Sequence, residues 1–172
     1  GEEFDREHFD FDIRYGVGKW PGLDSRRLTW ETITPVCSPA LLEGEKAIRN
    51  PEDLAHHPLL HVLGYEEGWG LWLNAAGLGG DIDKGRGLHF DTSLIAFEVA
   101  ACGGGVALAR SSMTGEDVAS GRLITPFSLA VPIDEAFYLI EPPDEPIHPD
   151  AELFRDWLIE EADLVWKPGV HV

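Results

Sequence analysis

The chain has 172 residues, of which 44% are hydrophobic and 26% charged, enough for one packed domain or two small lobes and too apolar for wholesale disorder. Thirteen Lys+Arg against 31 Asp+Glu give a formal net charge of −18 and a pI near 4.5. A surface that acidic repels phosphate backbones and anionic bilayers, so the chain by itself is expected to bind neither nucleic acid nor membrane, and no apolar run reaches the length of a spanning helix.

The start, GEEFDREHFDFD, lacks the basic and apolar zones of a signal peptide. FDFDIRYG alternates Phe9, Phe11 and Ile13 with Asp10, Asp12 and Arg14, the period of a strand with one buried face, and residues 20–25 read as a loop. Leu28 to Val36 is β-branched and reads as a second strand, with Pro35 arguing for an edge or a crossover. Ser38-Pro39 and Asn50-Pro51 are N-cap and first-turn proline pairs that open short helices.

Pro58 to Val62 is a short buried strand. Glu66 to Ala76 carries Trp69, Trp72, Leu73 and Ala76 on one helix face, with Gly77 as the cap. Leu88 to Phe90 is a strand, after which Asp91 caps a helix through Cys102 that ends at Gly103. Val106 to Ala109, Leu123 to Pro126 and Ala136 to Glu141 read as strands. Ser112 to Ser120 reads as a short helix, and Pro149 to Ala162 as a longer one burying Leu153, Phe154, Trp157 and Leu158. Strands alternating with helices argue for an α/β fold with largely parallel sheets. Two distant cysteines, Cys37 and Cys102, fit a reducing compartment, so a cytoplasmic location is expected.

His57 and His61 are four apart, but Pro58 between them breaks the helix a metal pair needs, so exposed and half-buried structural histidines are expected. Gly103 to Gly105 follows a helix rather than a strand, which suits a C-cap better than a phosphate loop. Asp91, Thr92 and Ser93 follow a strand and open a helix, where amides and hydroxyls either bind an anionic ligand or merely cap. Arg14 ends a strand and either meets an anion or pairs with a nearby Asp. Tyr138 packs within a strand or offers its hydroxyl to a cleft, the former being the simpler reading. No G-x-S-x-G, CxxC, HExxH or calcium loop occurs. No catalytic residue, metal site or cofactor is expected.

Taken in order, DFDIRYGVGKWPGL, PVCSPALL, NPEDLAHHPLLH, WGLWLNAAGL, GLHFDTSLIAFEVAACGGGVALARSSM, ASGRLITPF, AFYLIEPP and ELFRDWLIEEA resemble the effector-binding domain of LysR-type transcriptional regulators. The resemblance points to the branch of the glycine-cleavage activator. It implies an α/β, type 2 periplasmic-binding-protein-like fold of two lobes with mixed sheets. Residues 1–30 and 111–165 would form a truncated first lobe, 31–110 the second lobe, and 166–172 a tail. Crossovers would fall near Trp30 to Ile33 and near Arg110.

A small effector, bearing a carboxylate, would lie between the lobes. Its contacts would map onto Arg14, Tyr15, Gly16, His61, Thr92, Ser93 and Tyr138. The family's winged helix-turn-helix and the first strand, helix and strand of its sensor domain do not appear in the sequence. DNA would therefore be reached only through a DNA-binding domain absent from this chain, and the first lobe would carry a homo-oligomer contact. Two rivals remain. One is a solute-binding transport protein of the same fold. The other is an uncharacterised enzyme with His61 as general base.

Overall fold

The computed structural model describes residues 10–113 and 115–165. In chain order these form β1 (Asp12–Gly16), β2 (Asp24–Arg27), β3 (Thr32–Val36), β4 (Leu60–Val62), α1 (Trp69–Ala75), β5 (Leu88–Phe90) and α2 (Ser93–Ala101). Then come β6 (Ala107–Arg110), α3 (Gly115–Ala119), β7 (Val131–Pro132), β8 (Ala136–Glu141) and α4 (Pro149–Val165). The openings at Ser38-Pro39 and Asn50-Pro51 produce 3-10 turns, Pro39–Leu42 and Pro51–His56. The chain divides into two compact units, residues 1–30 with 134–172, and residues 31–133. Phe9 and the tail expected at 166–172 lie outside the described residues.

The first unit is built on an antiparallel sheet of order β1-β8-β2. The central strand is apolar on both faces, as a strand covered on both sides must be. Ala136, Tyr138 and Ile140 pack with Trp20 and Leu23 on one side. Leu139 packs with Leu28, Phe11 and the α4 residues Leu158, Ile159 and Ala162 on the other. Residues 24–27, partly read as loop, are a strand because their backbone pairs with β8, although DSRR has no apolar alternation to announce it.

The helix α4 departs from expectation in the face it buries. Leu153, Phe154 and Trp157 are 70%, 50% and 53% exposed, while Leu158, Ile159 and Ala162 face the sheet. Arg155 accounts for this rotation. Its guanidinium holds the Glu141 carboxylate at the end of β8 at 2.8 Å, on the same helix face as Leu158, Ile159 and Ala162, which leaves Leu153, Phe154 and Trp157 outward.

In the second unit β3 lies between β6 and β7, antiparallel to both. It is shorter than the expected 28–36. Pro35 sits beyond the two-residue β7, where β3 has lost that neighbour and a missing amide is tolerated. β4 pairs in parallel with β5, and a parallel bridge from Leu59 to Val106 carries the same direction toward β6. The sheets are thus mixed rather than largely parallel. Only β5, β4 and β6 are joined by helical crossovers, through α1 and α2, and such crossovers are what impose parallel neighbours. Trp72, Leu54, Leu59, Leu73 and Val106 form the centre of this unit's core. Burial there also pushes the Cys37 thiol up to about 11, which leaves it unreactive.

The second crossover does not fall at Arg110. Residues 111–133, expected in the first lobe, belong to the second unit, and the chain leaves it after Ile133. Three sets of contacts hold this segment there. The Glu31 carboxylate accepts from the Ser111 hydroxyl at 3.1 Å, the Ser112 amide at 3.0 Å and the Ser112 hydroxyl. Ile124 bridges Cys37, the remnant of the strand expected at 123–126. β7 pairs with Thr32 and Ile33. Among the described residues no helix is long and apolar enough to cross a membrane.

Candidate functional site

The strands β4, β5 and β6 end on one edge of the second unit. Beyond β4 comes the loop 63–68 leading into α1, beyond β5 the start of α2, and at the end of β6 stands Arg110. In α/β sheets the carboxyl edge of parallel strands is where the crossover loops leave room for a ligand. A cavity of 590 Å³ opens there, lined by β4, the loop residues Tyr65, Glu66 and Glu67, the first turn of α1, Lys84, Phe97 and Arg110. The Arg110 guanidinium lies 3.6 Å from the Tyr65 ring centroid and donates to the Glu67 carbonyl, so the loop is anchored on the last residue of β6. The Tyr65 hydroxyl donates to the Met113 sulfur at 3.6 Å.

His61 also lines this cavity. It sits opposite His89 across the β4–β5 pair, and the two imidazoles stack with centroids 4.4 Å apart and planes within 8°. Nε2 of His61 lies 2.8 Å from the Arg86 carbonyl. Burial holds the His61 imidazole below the ordinary histidine range, and the neighbouring His89 adds to that, while the Arg86 carbonyl opposes it.

At the start of α2 the cap is Thr92 rather than Asp91. Thr92 has the extended cap backbone and its hydroxyl accepts from the Ile95 amide at 3.3 Å, while Asp91 is exposed one residue too early. The amides of Ser93 and Leu94 take no acceptor among the described residues, as the first turn of a helix requires. Thr92 is exposed and Ser93 half-buried, and neither lines the cavity.

The other predicted residues lie in the first unit. Arg14 and Tyr138 are directly opposite across β1 and β8. Arg14 Nε donates to Asp12 at 3.1 Å, so the carboxylate pairing expected for it is made. Tyr138 donates to the Asp134 carbonyl at 3.1 Å, and its ring meets Trp20 edge-on at 5.6 Å. Tyr15 packs edge-on against Phe137 at 5.1 Å. A Cβ on Gly16 would lie 3.0 Å from the Trp20 ring, so that close approach suits glycine. Four of the seven candidates thus cluster on β1 and β8, and three belong to the second unit.

Sequence reasoning missed Tyr65, Lys84 and Arg110. Arg110 had a usable signal, a lone cation closing an apolar strand in VALAR, the same pattern that singled out Arg14. The other two histidines of the HHPLLH segment do not join the site. His57 is buried with Nε2 2.6 Å from the Lys46 carbonyl, and His56 is exposed. Among the described residues no three His, Cys, Asp or Glu side chains gather as a metal cluster. Gly103 and Gly104 close α2 by donating to the Ala100 and Val99 carbonyls, at 3.0 and 2.9 Å, with Gly103 at φ +84°.

These features define a type 2 periplasmic-binding-protein-like α/β sensor domain. The chain belongs to the LysR substrate binding domain family, whose model matches residues 2–163, and it is the effector-binding domain of a LysR-type regulator. The glycine cleavage system transcriptional activator of Escherichia coli K12 is 38% identical over 153 residues, covering 89% of this chain and 50% of that protein. The transcriptional activator AmpR of Citrobacter koseri is 32% identical over 156 residues, covering 91% and 52%. The solved effector domain of AmpR from Pseudomonas aeruginosa matches with a TM-score of 0.77 at 33% identity, covering 90% of this chain and 73% of that one. The chain spans about half the length of the curated relatives it matches.

Proposed function

We propose that this domain senses a small carboxylate-bearing effector for a cytoplasmic transcriptional regulator, and that it is not an enzyme. Within the second unit His61, Thr92 and Ser93 serve it, while Arg14, Tyr15, Gly16 and Tyr138 form a separate candidate cluster on β1 and β8 of the first unit. DNA is reached through a DNA-binding domain outside this chain. One observation carries the reading: a 590 Å³ cavity at the carboxyl edge of β4 and β5, lined by His61, Lys84 and Arg110. Thermal-shift screening of small carboxylates beside their uncharged amides tests it. A carboxylate is expected to raise the melting temperature and its amide is not. Ser93→Ala is expected to weaken that carboxylate about 5- to 10-fold, the size of one lost hydrogen bond, without lowering stability. Equal shifts from acid and amide would rule out the carboxylate.

The regulator also acts as a homo-oligomer through the first unit. Ile13, Leu153, Phe154, Trp157 and Leu164 are 43–70% exposed there, and burying each such side chain stabilises by roughly 1.5–3 kcal/mol. Light scattering coupled to gel filtration is expected to show a dimer or larger species at micromolar concentration, and Trp157→Lys to dissociate it. A wild-type monomer would remove this part of the reading.

A further inference from the structure

The geometry points to His61 as a fixed hydrogen-bond acceptor in the cavity, one that selects ligands carrying an N–H or O–H donor while its ring is neutral. This rests on the reading of the cavity as the effector site. A backbone carbonyl can only accept, so the 2.8 Å contact between His61 Nε2 and the Arg86 oxygen places the ring proton on Nε2. Nδ1 is then a bare lone pair, and it makes no hydrogen bond to any described residue. Two contacts hold the ring in this state. The His89 imidazole covers one face at 4.4 Å, and Arg86 is itself anchored, its Nη1 donating to the Leu54 carbonyl at 2.9 Å. Most polar neighbours in the cavity cannot play this part. Arg110 and Lys84 only donate, Glu66 and Glu67 bring a negative charge with their acceptors, and Asn74 and Tyr65 carry donors beside their neutral acceptors. His61 adds a neutral acceptor.

The pH dependence has a definite sign. The charged groups around the ring are His89 on β5, Arg86 and Lys84 on the segment before β5, Glu66 and Glu67 on the loop, and Arg110 on β6. Burial and the adjacent His89 keep His61 neutral to lower pH than an ordinary histidine. The acceptor is therefore present at neutral pH. It is lost as the pH falls through the imidazole's own lowered midpoint, because the protonated ring presents N–H at both nitrogens. The preference for a donor-bearing carboxylate over one without the donor should therefore shrink toward unity as the pH falls through that midpoint, while the imidazolium charge favours both carboxylates alike.

Long-range proton–nitrogen NMR on histidine-labelled protein reads the tautomer without any ligand. The expected spectrum has a protonated Nε2 and a bare Nδ1 at pH 7, with a midpoint below 6.5. A protonated Nδ1 at that pH would overturn the proposal. The binding arm compares glycolate with acetate, which lacks the donor. Glycolate is expected to bind about tenfold better at pH 7, and to lose that advantage in His61→Leu. His61→Gln keeps a neutral acceptor and a donor for the Arg86 carbonyl, so it should keep the preference and lose the pH dependence. An unchanged preference in His61→Leu would overturn the assignment of His61. Failure of both carboxylates to bind wild type, with the expected tautomer present, would instead overturn the cavity as the effector site.

Discussion

Trp72→Ala is expected to destabilise the second unit by about 3–5 kcal/mol, the largest single side-chain effect in the domain. Trp72 is fully buried at the centre of the core. Its ring lies 5.6 Å from Phe127 in a stacked arrangement and 5.9 Å edge-on from Trp69. Its indole N–H donates to the Leu129 carbonyl at 3.1 Å. Truncation therefore leaves a cavity, removes two aromatic contacts and orphans a carbonyl of the 111–133 segment. Urea denaturation followed by circular dichroism measures the loss. Trp72→Phe keeps most of the packing and isolates the hydrogen bond, so its cost should be distinctly smaller. A loss below about 1 kcal/mol for the alanine variant would show that the core refills the space.

Gly87→Ala is expected to cost about 3 kcal/mol and to abolish ligand response together with stability. Gly87 has φ +107° and enters β5 against the β4 backbone. A Cβ there would lie 1.9 Å from the Leu59 carbonyl oxygen and 2.7 Å from the Leu59 nitrogen. That oxygen also receives the Leu88 amide at 2.9 Å, so relief of the clash must break the contact that starts the β4–β5 pair. Separating these strands would unstack His61 from His89 and shift the Thr92–Ser93 helix start. Gly80→Ala is the control, since a Cβ there meets nothing within 4 Å, and its effect should stay within about 0.5 kcal/mol. Retention of wild-type stability in Gly87→Ala would mean that the strand pair is looser than its geometry shows.

Much of the fold was legible because its signals are local. The apolar run AFYLIE marks β8, and the stretch between Thr92 and Gly103 marks α2, because caps and periodicity involve partners a few residues away. The seven expected site residues include His61, the one that lines the cavity. The polar strand β2 and the two-residue β7 carried no such pattern and exist only through pairing with β8 and β3.

The sequence by itself determined the acidic surface, the α/β alternation, the ordered family segments and, to within one residue, the start of α2. Tertiary structure alone decided three things. It assigned 111–133 to the second unit through Glu31, whose hydroxyl partner Ser111 is 80 residues away. It chose the buried face of α4 through the Arg155–Glu141 pair. It set the proton of His61 through a carbonyl 25 residues distant. Each is a long-range polar contact between groups with many possible partners, and only the folded chain selects one.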